Sequence, residues 1–82
     1  MPKYVISYDL MKPGQVYEHL LPALQKQGAK QLLLSTWGID SSLSPAEIRD
    51  WLRPYLDVND RLVVIELTEW AAYRTMVDLK LV

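Results

Sequence analysis

The chain contains no cysteine. It can therefore build neither a disulfide framework nor a thiolate metal site, and its stability must come from elsewhere. With His19 as its single histidine, it offers no basis for a zinc centre or a Ser-His-Asp relay. His19 lies between Glu18 and Leu20, beside an apolar helical stripe, which is the place of a solvated histidine. The three glycines are too scattered for a glycine-rich phosphate loop. The start shows no basic segment followed by an apolar one, and no apolar run approaches the roughly eighteen residues of a membrane span. A cytoplasmic protein without a membrane partner is the expectation. Charge of one sign is also missing: 9 Lys and Arg stand against 10 Asp and Glu, a net charge of −1. Tight, sequence-independent binding to nucleic acid draws on many cations replacing counterions. This balance argues against it, while leaving room for a small basic patch on one side of a dimer.

What is present is apolar. Half of the 82 residues are hydrophobic, yet a chain this short buries only roughly 60–65% of its unfolded surface. One domain over residues 1–82 is expected, and a homodimer is the remaining route to stability.

Periodicity reads as strand–helix–strand, twice. Lys3 to Tyr8 is an apolar, β-branched and aromatic run that reads as a buried strand. Tyr17, Leu20, Leu21 and Leu24 fall at helical spacing, with Gly28 just past the helix end. Pro22 lies within that helix and is expected to kink it. Lys30 to Leu34 reads as a second strand and Thr36 to Asp40 as a third, or as its continuation bent at Ser35 or Gly38. Ser44-Pro45-Ala46-Glu47 is a capping box with proline at the first helical position. The stripe behind it holds Ile48, Trp51, Leu52, Tyr55 and Leu56, with Trp51 expected in the core. Asp57-Val58-Asn59-Asp60 is turn chemistry, and Arg61 to Leu67 is expected to run centrally in a sheet. Two one-sided helices cover one sheet face, so the other meets solvent or a second copy. Thr68 to Tyr73 is read as a short helix. Val77, Leu79 and Leu81 alternate with polar residues as an edge strand does, and are expected at a dimer contact. The element order is that of an α+β, ferredoxin-like β-α-β-β-α-β sandwich with a C-terminal edge strand.

Four segments carry a family resemblance: Tyr8-Asp9-Leu10, Ser35-Thr36-Trp37, Ser44-Pro45-Ala46-Glu47-Ile48-Arg49, and Asp57-Val58-Asn59-Asp60-Arg61. They span nearly the whole chain. In these segments it resembles the small CRISPR-associated endoribonuclease subunit of the spacer-adaptation machinery and its compact stand-alone (SinR-like) relatives. The resemblance implies a homodimer in which Asp9, as catalytic and metal-binding residue, pairs across a two-fold axis with its copy to hold magnesium. It also implies that the C-terminal strand adds to the partner's sheet, and that RNA or DNA and a protein partner in an adaptation or defence complex are involved. The chain departs from the family after Asp9, where the loop and first helix offer only Lys12 and Lys26 in place of several arginines.

Each candidate also has a plainer reading. Asp9 can bind magnesium, which takes one or two carboxylates and keeps several waters, or it can cap the following loop. Tyr8 and Trp37 can stack on bases or anchor a core or interface. Lys12 is a candidate nucleic-acid contact, and Ser35 and Thr36 can touch a phosphate or, as hydroxyls at a strand bend, bond to nearby backbone. Ser7, on the same strand face as Asp9, reads as a packing residue. Arg49 and Arg53 lie one helical turn apart as a phosphate clamp does, but Glu47 and Asp50 neutralise them. Three functions follow as expectations: a magnesium-dependent phosphodiesterase, a non-catalytic dimeric adaptor or nucleic-acid-binding module, and an accessory or toxin-like component of a mobile element.

Overall fold

The computed structural model describes residues 1–11 and 16–77. Strand β1 spans Lys3–Asp9. A π-helical turn, Val16–Leu20, runs into helix α1, Leu21–Lys26. Strands β2 (Lys30–Leu33) and β3 (Thr36–Asp40) follow. Helix α2, Pro45–Leu52, ends in a 3₁₀ turn, Arg53–Tyr55, and β4 spans Arg61–Leu67. The sheet order is β2-β3-β1-β4, with every neighbouring pair antiparallel. This is the ferredoxin-like α+β arrangement.

The local chemistry explains the helix ends. Ser44 Oγ accepts from the Glu47 N–H at 3.1 Å, and Glu47 Oε1 accepts from the Ser44 N–H at 3.0 Å. That reciprocal pair opens α2 where the sequence places it. At the far end of α1, Gly28 adopts φ +80°, a conformation favouring glycine. Its N–H reaches the Gln25 carbonyl and the Ala29 N–H reaches that of Leu24, the paired bonds of a Schellman motif. Leu24 and Ala29, its apolar partners, are both in the core. Pro22 does not kink a regular helix. The chain is wound as a wide π turn up to Leu20, and α1 begins at Leu21. Proline has no N–H to donate and its ring crowds the carbonyl four residues back, so it is accommodated in the first turn of α1.

The side-chain alternation of β1 assigns the two sheet faces. Tyr4, Ile6 and Tyr8 are buried with Leu20, Leu24, Trp37, Ile39, Ile48 and Leu52 on the face that the helices cover. Val5, Ser7 and Asp9 lie on the opposite, open face. Strand β1 is central, whereas β4 is at an edge among the described residues, correcting the expectation of a central β4. Its apolar run is split between faces: Leu62 and Val64 pack on the core, while Val63 and Ile65 stand 48% and 49% exposed on the open side.

The segment after β4 is not a helix. It proceeds through bends, and the Met76 N–H donates to the Leu32 carbonyl at 2.8 Å. The tail therefore crosses from one edge of the sheet to the β2 side, with Trp70 to Tyr73 and Thr75 lining a hollow of about 300 Å³ with Val5, Leu33 and Leu67. Trp51 is half-buried against the core, and the fully buried residues of α2 are Ile48 and Leu52.

Candidate functional site

Asp9 closes β1 on the open face, and the register sets Arg61, the first residue of β4, directly opposite it. Ser7, one step back on the same face, stands opposite both Val63 and Thr36. Ser7 Oγ and Thr36 Oγ1 share a hydrogen bond at 3.2 Å. Ser7, Asp9, Arg61 and Val63 line a shallow hollow of about 230 Å³. This corner thus combines an exposed carboxylate, an exposed guanidinium and a hydroxyl pair, beside an apolar edge. Among the described residues the Asp9 carboxylate forms neither a hydrogen bond nor an ion pair. Its oxygens are therefore not engaged there in capping.

The loop after β1 is held by a different acid. Asp60 Oδ1 accepts from the Met11 N–H at 2.9 Å, and Asp60 Oδ2 accepts from the Asp57 N–H at 2.7 Å. Asp60 in turn donates its own N–H to the Asp57 carbonyl at 3.0 Å. The turn motif marks these acids, but the bond to Met11, 49 positions away in the chain, appears only on folding.

Tyr8 and Trp37 are not a stacking platform. They are 7% and 2% exposed, and Trp37 Nε1 donates to the Tyr8 hydroxyl at 3.1 Å. Alternation places both rings against the helices, one residue out of step with Asp9, so neither ring face can meet a base. Ser35 is exposed in the β2–β3 turn, and its carbonyl accepts from the Tyr8 N–H at 3.0 Å. It thus lies at the Asp9 end of the sheet, held through its backbone. Val77 is half-buried, and its carbonyl accepts from Thr75 Oγ1 at 2.8 Å. Lys12, Leu79 and Leu81 lie outside the described residues. Arg61 and Asp60 are the residues that sequence reasoning passed over as members of this corner. Their signal was the acid-rich turn before β4, which register brings to the end of β1.

Two of the cations elsewhere are paired with acids. Lys3 Nζ pairs with Asp40 at 3.0 Å across β1 and β3. Arg49 bonds to its neighbour Asp50 at 3.0 Å, which holds the Asp50 carboxyl below its ordinary value and raises Arg49 above its own. Arg49 and Arg53 do border one surface hollow, together with Asp50 and Pro54. Arg49 is committed to Asp50, while Arg53 adds a through-space attraction to the same carboxylate.

No family model matches the chain. A solved structure, that of the hypothetical protein TT1823 from Thermus thermophilus, is similar at a TM-score of 0.70 over 93% of this chain and 95% of the other. At 18% identity, the likeness establishes the fold alone. Among the described residues, no helix is long and apolar enough to cross a membrane.

Proposed function

We propose that the chain works as a homodimer on nucleic acid, as a magnesium-dependent phosphodiesterase in which Asp9 from each copy shares one ion. This is the activity implied by its resemblance to the CRISPR-associated endoribonuclease subunit and SinR-like proteins. The observation that carries the reading is the placement of Asp9. It ends the central strand on the open face, unengaged among the described residues and next to an apolar edge that a second copy can cover.

The donor chemistry fits a hard cation. Magnesium favours oxygen ligands, keeps several waters, and needs only one or two carboxylates. One chain brings one such carboxylate to this corner, and a second copy related by a two-fold axis would double it. When bound, the ion lowers the pKa of a water and offsets charge on a phosphodiester. Asp9 holds the ion in this scheme. Arg61, on the same face, supplies the fixed positive charge that orients a phosphate. Ser7 lines the same hollow, its hydroxyl hydrogen-bonded to that of Thr36.

The test is cleavage of labelled RNA and DNA by the purified protein across a magnesium range, with Asp9→Asn as control. The expected result is magnesium-dependent cleavage that falls by roughly 10²–10³-fold in the variant, the usual cost of losing a group that stabilises developing charge. Equal rates for the two proteins would end the reading.

A second reading has its own observation. Two basic side chains, Lys3 and Arg49, pair with acids, and the two candidate stacking rings are in the core. A non-catalytic dimeric adaptor accounts for this. It predicts a stable dimer that binds a protein partner, with no cleavage at any magnesium concentration.

A further inference from the structure

We propose that Asp60 is the positioning residue of the Asp9 corner, setting how tightly the two-fold carboxylate pair holds its cation. The assignment rests on the metal reading of Asp9 given above. Its basis is that one half-buried carboxylate ties together two chain segments that meet at the site. Oδ1 receives the N–H of Met11, two residues beyond Asp9, and Oδ2 receives the N–H of Asp57 at the start of the turn into β4. Asp60 itself directly precedes Arg61, which faces Asp9 in the ladder.

Asp9 and Arg61 form the last pair of the β1–β4 ladder. Terminal pairs open most readily, because nothing beyond them in the sheet restrains the backbone. The Met11–Asp60 bond lies just past that pair and closes it from outside. A carboxylate suits the position because it is acceptor-only, and both groups aimed at it are N–H donors. Asparagine accepts at one oxygen and turns a donor toward the other N–H, so it keeps half of the clasp.

This gives Asp60 a role distinct from that of Asp9. Asp60 acts through the backbone, each of its oxygens accepting one main-chain N–H. It restrains the strand end from which the Asp9 carboxylate is presented, as outer partners restrain metal ligands elsewhere at a typical cost of 10–100-fold in affinity when removed.

The experiment is a magnesium titration of thermal melts for wild type, Asp60→Asn, Asp60→Ala and Asp9→Asn, with amide hydrogen exchange read at Met11 and Asp57. Asp60→Ala is expected to raise the magnesium midpoint about tenfold or more, with Asp60→Asn between it and wild type. Both amides lose protection in the Asp60 variants and keep it in Asp9→Asn, which loses the magnesium response altogether. If Asp60→Ala does not fold, the comparison of Asp60→Asn with wild type decides. A lower melting temperature with an unchanged magnesium midpoint makes Asp60 a turn staple and overturns the assignment. A wild-type melt that ignores magnesium overturns the metal reading itself, and the assignment falls with it. Exchange at Met11 then still reports whether the clasp exists.

Discussion

Tyr4 shows how much one hydroxyl in this core is committed to a single state. Its ring is buried on the helix side of β1, and its OH donates to the Leu43 carbonyl at 2.8 Å. Burial, then the nearby Glu66, pushes its pKa above the ordinary 10.0. The folded protein therefore holds this proton more tightly than the unfolded chain does. That stability is fully present below about pH 10 and is lost as pH rises through the folded value. Tyr4→Phe is expected to flatten the alkaline limb of a stability–pH curve, with a modest loss at neutral pH from the missing bond. Chemical denaturation between pH 7 and 11 measures both. Trp51 and Leu24 make a second test at this scale. Emptying a filled aromatic site costs about 3–5 kcal/mol, but Trp51 is only half-buried, whereas Leu24 has no exposed surface. Trp51→Ala should fall below that range, and Leu24→Ala should cost about 2–5 kcal/mol. Denaturant midpoints that rank Trp51 well above Leu24 would contradict the packing described.

Among the elements, those with chemical punctuation behave as their sequences indicate. The Ser44 cap is worth about 1 kcal/mol, so Ser44→Ala should lower stability by that amount without moving other elements, as calorimetry can verify. Gly28 has open space where a Cβ would go, so Gly28→Ala meets only the backbone cost of positive φ, roughly 1–2 kcal/mol. Both ends were legible because each is built from residues within one turn of one another. The π turn before α1 and the register shift between Gln31 and Leu33 in β2 were not. They depend on how a helix and a strand fit their neighbours, and no local motif specifies that.

For the whole molecule the open face is the main question, and it sets the last prediction. Val63 and Ile65 are half-exposed on the same face of β4 as Arg61, opposite Ser7 and Val5. If a second copy covers this edge, Ile65→Lys should abolish the concentration dependence of sedimentation and melting. Within one chain the same change touches an exposed site and should alter stability by no more than about 0.5 kcal/mol. An unaltered sedimentation profile in a dimeric wild type would move the interface elsewhere.

By itself, the sequence determined the order of strands and helices from β1 to β4, the two helix-end motifs and the presence of one sheet face that no helix covers. Those follow from periodicity and short-range hydrogen bonding, which neighbouring residues carry in full. Only the tertiary structure decided that β4 is an edge, that Tyr8 and Trp37 face inward while Asp9 faces out, and that Asp60 reaches Met11. In a strand the face alternates with every residue, so an identity such as aromatic or acidic names a candidate without saying where it points. The long-range partners that settle this are chosen by register between distant segments, and register is a property of the folded sheet.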